Sequence, residues 1–468
     1  MVYLRRRFRG ATAVSLVALA AVLSACSSVS SAGSAKVITF AYSTTYVFGS
    51  TAMANAYVDS IKRQYQEMYP GYTVKLIPIN GANNQIVTTL SLMYRSPSTA
   101  PDVAEIPTGM LGELVSSNLA LPIDKYVDGT SWWEHFPASI KKETTLSGHV
   151  YGANEGMNNV ALWYNKALLR KAGIALPWQP TSWADILSAA EAIARTSPSA
   201  YPLWLMAGNG SEIAGSLLGG TNLVLGSSTP YIQDSAGKFV VDSPGLQQVF
   251  GFYKTVAEKH LDVPLSQLVN PNALTFPEAL LAKNQVGIEI AGNYVGDEFT
   301  TASVGPGFEH LTVPCSPCVP NPQQKIGVTA IPRMAGGGAI STLSGWDLPV
   351  YAGAKNPRAA FNLINLIESK QDMLIGDNAA GWPPDDTRYI SAPLYDNFSP
   401  GFNAFFARLL AKSTTVPATP DANVWSTGFN NATEALLQNP SMSVSAAIGI
   451  LKQYVTGQLG SSKTVVVP

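Results

Sequence analysis

The 468-residue sequence holds three cysteines and four histidines, and only 13% of its residues are charged. Each shortage removes a class of chemistry. Cys315 and Cys318 form one close pair, "CSPC", and no second pair exists to complete a zinc site. His135, His149, His260 and His310 are scattered, with no two at metal-binding spacing, so no metal centre is expected. There is no G-x-S-x-G elbow for a nucleophilic serine. Gly237-Lys238 is followed by Phe239 in place of Ser or Thr, so there is no phosphate-cradling loop. Asp385 and Asp386 stand side by side in "PPDDTR", whereas a glycosidase needs two carboxyls about 5–10 Å apart across a sugar. The chain reads as a non-enzyme without a cofactor.

Long apolar runs are equally scarce. One exists, Ala11 to Leu23, and it is too short for a permanent span, which needs roughly 20 residues. Arg5, Arg6, Arg7 and Arg9 precede it, as in a cleaved export signal. Export by the general or the twin-arginine route stays open. "LSAC" at its end resembles the bacterial lipobox, which makes Cys26 the expected lipidated first residue of the mature chain. "SSVSSAGSA" then reads as a flexible tether. The expected segments are residues 1–25 as signal peptide and 26–35 as lipidated tether, on the extracytoplasmic face of a membrane. Losing the four head arginines lowers the 30 basic residues to 26 against 31 acidic ones. Such a balance offers no basic footprint for a nucleic acid.

Apolar residues make up 46% of the chain, ample for a packed core. "VITFAY" (Val37–Tyr42) reads as a strand. The helix after it places Ala54, Tyr57, Val58, Ile61, Tyr65 and Met68 on one face, and Pro70-Gly71 stops it. "YTVKLIPI" alternates as a strand, "NQIVTTLSLMYRS" reads as a helix and "PDVAEI" as a third strand. Later, "NVALWYN" and "QVGIEIAG" are predicted strands. Ser182 with Asp185 forms a capping box for "WADILSAAEAIAR", and "NPRAAFNLINLIES" is a predicted helix. Strands alternating with helices predict an α/β fold with a largely parallel sheet. Cys315 and Cys318 are placed to close a small disulfide loop in an oxidising compartment. The prolines of "VPCSPCVPNP" oppose the helix a redox CxxC would open.

Nine tryptophans, nineteen tyrosines and amide-rich stretches such as "NEGMNN" and "AGNGSE" remain. Aromatic faces and amide groups suit sugars, which present C–H faces and hydroxyls.

A series of segments carries a family likeness. "PDVAEI" before "LGELVSSNLALPIDKYV" is one, and "GHVYGANEGMNNVALWYNKALLRKAGIALPWQPTSWADIL" is the strongest. "FPEALLAKNQVGIEIAGNYV", "GWDLPVYAGAKNPRAAFNLINLI" and "GWPP" follow in order. The chain resembles the extracellular solute-binding proteins of bacterial ABC importers, in the sugar-binding family that includes maltose-binding protein. It departs from that pattern at Asn154, where the family has Pro, at "LSGW" for the usual Gly-Gly, and in the neutral "PTGM" after the third strand.

The resemblance implies a two-lobed α/β fold of periplasmic-binding-protein type, with a ligand cleft and three hinge crossings. Residues 36–157 and 332–376 would form one lobe, 158–331 and 377–468 the other. Hinge closure on a carbohydrate, and its delivery by a monomer to membrane permease subunits, would be the mechanism. Asn158 and Asn293 are the expected hydroxyl partners, and Tyr294 and Trp425 the expected stacking rings. Gly345 and Trp346 are expected in a loop that offers backbone N–H groups. Tyr42 and Tyr46 end the first strand and are expected to line the cleft; Asn84, which begins the helix after the second strand, and Trp382 are further expected ligand residues. Glu105 and Asp386 are the expected carboxylates. The absence of an Arg or Lys cluster in these loops favours a neutral ligand over an anion. The alternative is the same fold holding a glycerophosphodiester or a polyamine; several carboxylates facing the cleft would favour the polyamine.

Overall fold

The computed structural model describes residues 36–44, 50–81, 83–210, 215–270, 273–274, 276–299, 302–303, 312–313, 315–389, 401–410, 412–416, 419 and 421–468. Cys26, the signal, the tether and Tyr46 lie outside them. Among the described residues no helix is long and apolar enough to cross a membrane.

β1 (Lys36–Ser43) buries Ile38, Phe40 and Tyr42. Ser50 caps α1 (Thr51–Met68) by accepting the Met53 N–H. Met53, Ala54, Tyr57, Val58, Ile61 and Tyr65 form its buried face. Met68, expected on that face, is 57% exposed. The rings of Tyr69 and Tyr72 pack on Tyr65 in its place, with centroids 4.8 and 6.3 Å away. β2 (Tyr72–Ile79) runs parallel to β1 from Lys36↔Tyr72 to Ser43↔Ile79, and α2 (Asn83–Tyr94) follows. "PDVAEI", expected as one strand, becomes β3 (Val103–Ala104) and β4 (Ile106–Pro107). Glu105 between them bonds back to β1: its N–H donates to the Ala41 carbonyl at 2.9 Å. Its Oε2 accepts the Ser43 N–H at 2.7 Å. β2, β1 and β3 make a three-stranded parallel sheet.

β5 (Gly152–Asn165) is long enough to span both halves of the molecule. Then come α3 (Trp183–Thr196), with the Ser182/Asp185 capping box in place, β6 (Tyr201–Trp204) and α4 (Pro244–Glu258). β7 (Val286–Gly292), β8 (Ile326–Thr329) and β9 (Thr342–Pro349) supply the central pairings. α5 (Pro357–Ile367), α6 (Lys370–Ala380), α7 (Asn403–Leu410), β10 (Thr414–Thr415), α8 (Ala422–Gln438) and α9 (Val444–Leu459) complete the elements used below. The second sheet has the order β10-β9-β5-β7-β6, with β8 also on β5 and β4 on β9. Only β9–β10 and β7–β6 are parallel along that path, so this sheet is mixed where a largely parallel one was expected. Cys315 and Cys318 are joined by a disulfide, with Cα atoms 4.8 Å apart.

Two separate hydrophobic cores result. One gathers Ile38, Tyr57, Trp132 and Ile364; the other Trp163, Trp204, Phe250 and Phe429. β5 serves both, giving Ala153 and Met157 to the first and Val160 to Tyr164 to the second. The chain returns between Ile331 and Leu343 and leaves again between Trp382 and Phe402. Residues 377–389 were expected with the second lobe. Instead Ala379, Ala380 and Trp382 belong to the first core. α6 is held there by Tyr57, whose hydroxyl donates to the Asp372 carbonyl at 3.3 Å and sits against Gly376.

Candidate functional site

β5 and β9 carry the chain between the cores as paired strands, and the candidate site is built on them. The register sets Asn154 opposite Asp347, Gly156 opposite Trp346, Met157 opposite Gly345 and Asn158 opposite Ser344. The amide-rich "NEGMNN" is therefore strand. Gly345 and Trp346, expected in a loop, are strand residues too. A crossing between cores must satisfy its own backbone groups, and a ladder does so. The Gly345 N–H also lies 3.4 Å from Thr108 Oγ1, and the Trp346 ring is buried in the first core.

Asn158 and Asn293 interlock. Asn158 Oδ1 accepts the Asn293 N–H at 3.1 Å, and Asn293 Oδ1 accepts the Asn159 N–H at 3.2 Å. The Asn293 amide nitrogen donates to the Gly381 carbonyl, tying β7 of the second core to the loop after α6. Beside that bond the six-membered ring of Trp382 packs against Gly156. A Cβ at position 156 would stand 1.8 Å from Trp382 Cε3, so only glycine admits the indole. Tyr294 follows Asn293 in a 3-10 turn and is partly buried against the second core. Gly156→Ala should expel Trp382, lowering stability by about 1–3 kcal/mol in urea denaturation and weakening ligand capture with it.

Tyr42 donates to Asn55 Oδ1 at 2.7 Å on the first-core side. Asn84 lies in α2, next to its first residue. Trp425, expected as a stacking ring, lies in the second core. It is fully buried in α8, stacks on Phe429 at 5.3 Å and donates from Nε1 to the Val240 carbonyl at 2.8 Å. The apolar periodicity of α8 turns its indole into the second core. Asp386 is buried but already occupied: Arg388 Nε stands 2.9 and 3.0 Å from its two oxygens. Arg388 also reaches Ser131 of the first half. Asp386 is thus a clamp on its own loop, since a neighbouring guanidinium is a stronger partner than a sugar hydroxyl.

The sequence reading missed a set of buried carboxyls at the carboxyl ends of the first sheet and on the crossing strands. Glu155 and Asp347 sit on β5 and β9, Glu143 on the short helix Ala138–Thr144, and Glu368 and Asp377 on or beside α5 and α6. Asp385 adjoins Asp386. All are at most 7% exposed. Glu105 and Glu155 are close enough to share a hydrogen bond, as are Glu143 and Asp347. Burial, then neighbouring acids, pushes Glu105, Glu143, Glu368, Asp377 and Asp385 well above the usual carboxyl range. Burial lifts Glu155 to about 8 and Asp347 to about 7. The one signal for them in sequence was a lone acid inside an apolar stretch, as in "GWDLPV" and "NLINLIES".

Little space remains here in this conformation. A cavity of about 10 Å³, room for about one water, lies between Thr108, Glu143, Leu343 and Thr415. A groove of about 340 Å³ lies elsewhere, on the second half beside Trp178, Thr181 and Asp185, and takes in none of the expected site residues.

Known proteins share this arrangement. The sugar-binding protein MalE of Xanthomonas citri superposes with a TM-score of 0.73 at 17% identity, over 91% of this chain and 98% of that one. The maltose-bound MalE3 of T. maritima superposes at 0.70 and 17% identity, over 91% and 100%. In sequence, a protein of Deinococcus radiodurans named as an ABC transporter-binding protein is 24% identical over 315 residues, 64% of this chain and 66% of its own length. The model of the family described as bacterial extracellular solute-binding protein matches residues 60–390. Two cores joined by crossing strands and a match over most of the chain lead to one conclusion: the protein belongs to the bacterial extracellular solute-binding protein family.

Proposed function

We propose that the protein captures a carbohydrate between its two halves and delivers it to the permease of an ABC importer. The observation that carries this reading is the convergence of Asn158, Asn293 and Trp382 where the cores meet. There an indole and amide groups lie across a joint. That the T. maritima neighbour of the same fold binds maltose supports it. Parting the halves would break the Asn293–Gly381 bond and free Trp382 to stack on a sugar; closure would remake the contact around the ligand. The ligand favours closure by its higher affinity for the closed form. A glycerophosphodiester is disfavoured, because its phosphate would face buried acids. The exported chain, lipidated at Cys26, would work as a monomer near its permease, the tether giving it reach.

A thermal-shift series of the purified protein against mono-, di- and oligosaccharides tests the reading. A sugar at 100 times its Kd should add about 2.7 kcal/mol of stability, with no product formed. Silence across all saccharides would overturn the reading, and turnover of a glycoside would make the chain an enzyme.

A further inference from the structure

The buried acids at the crossing strands have more acceptor atoms than the described residues can satisfy. Apart from the bonds that Glu105 with Glu155 and Glu143 with Asp347 can share, the carboxyl oxygens of Glu155, Asp377 and Asp385, Glu105 Oε1 and Asp347 Oδ2 have no donor among the described residues. Among the described residues the ion pair in this region is Arg388–Asp386, and the other acids have no cationic partner. An independent observation points the same way. Asn154 is fully buried, and its amide nitrogen donates to Asp347 Oδ1 at 3.0 Å and to the Trp346 carbonyl at 3.1 Å. Its Oδ1 has no donor.

Three occupants would relieve acidic charge: protons, a metal ion or an organic cation. A proton neutralises a carboxyl but supplies one donor at most. A metal ion needs ligands converging on one point, and no such group of three exists among the described residues. An ammonium group brings positive charge together with several N–H donors, and it tolerates acceptors spread over a wall. The wall also lies where a ligand would be held. Glu105 ends the first sheet, Glu155 and Asn154 stand on β5 beside Gly156, and the loop from Gly381 to Asp385 is tied to the second half by Asn293.

We propose that the solute carries at least one ammonium group, bound against Glu155, Asp377, Asp385 and Asn154 when the halves close. This rests on the carbohydrate reading above and narrows it to aminated saccharides. Arg388, clamped on Asp386, marks the edge of the wall.

The test is titration calorimetry of the purified protein at pH 7 with matched pairs: a neutral oligosaccharide, its amino-sugar counterpart, the N-acetylated form of that counterpart, and spermidine. The expected result is at least tenfold tighter binding of the amino sugar than of the neutral and N-acetylated forms. That preference should weaken as salt is raised. Asp377→Asn and Glu155→Gln should each erase most of it; the first lies on α6 and the second on β5, so a folding failure in one leaves the other to decide. Equal binding of all three saccharides would overturn the ammonium site and leave the carbohydrate reading standing. Binding of spermidine with no saccharide bound would keep the ammonium site and overturn the carbohydrate reading. Silence in every arm would overturn both.

Discussion

Ligand-free protein should melt at a higher temperature at pH 5.5 than at pH 8.5, by at least about 5 °C. The buried acids dictate the sign. Glu155 and Asp347 have folded pKa values raised to about 8 and about 7, from ordinary values of 4.5 and 3.8. Asp262 and Glu278, in the second half, are raised to about 8 as well. The folded form keeps protons that the unfolded chain has already released. Their stabilising effect is complete below the unfolded values and is lost as pH rises through about 7 to 8. For Glu155 alone, the interval from 4.5 to about 8 corresponds to something on the order of 5 kcal/mol. The groups facing Glu155 come from several elements. Asp347 on β9 opposes its ionisation, whereas the hydrogen bond from Glu105 after β3 favours it. Tyr57, Glu368, Asp377 and Asp385 have their own titrations raised by Glu155. Melting curves read by circular dichroism across this range decide the matter. A flat profile, or one that rises with pH, would mean the acids are hydrated or compensated. Glu155→Gln should flatten part of the slope, because a neutral amide keeps the shape and removes the ionisation.

Trp425→Ala should cost about 3–5 kcal/mol in urea denaturation. The indole is fully buried and stacked on Phe429, which in turn stacks on Phe250 at 5.3 Å. Its loss opens a cavity in the second core and strips the Val240 carbonyl of its donor. Ligand affinity of the molecules that remain folded should be unchanged. A variant of wild-type stability with abolished binding would return Trp425 to the ligand site. The contrast with Trp382 is physical. Trp425 stands among side chains of its own core, whereas Trp382 lies over a glycine on a crossing strand, beside a bond that joins the two halves.

Local pattern had predicted much of this fold. β1, α1 and β2 stand where period and stop signals set them, and Ser182 with Asp185 caps α3, because these are contests between neighbours in the chain. The family likeness, spread over ordered segments, pointed to two lobes. Asn158 and Asn293, named from that likeness as hydroxyl partners, are bonded to each other in the structure. What failed did so for long-range reasons. Gly345 and Trp346 resembled a loop in sequence, yet a strand crossing between two cores needs a paired partner, and β5 provides one. Asp386 reads as a free carboxylate until Arg388 folds onto it. The carboxyls of Glu155, Asp347 and Asp377 come from separate strands and a helix far apart in the chain. Each alone reads as an ordinary acid. The sequence by itself determined the alternation of elements, the sparse charge and the family. Only tertiary structure decided which acids lose water together, because burial and the proximity of like charges are properties of the packed chain.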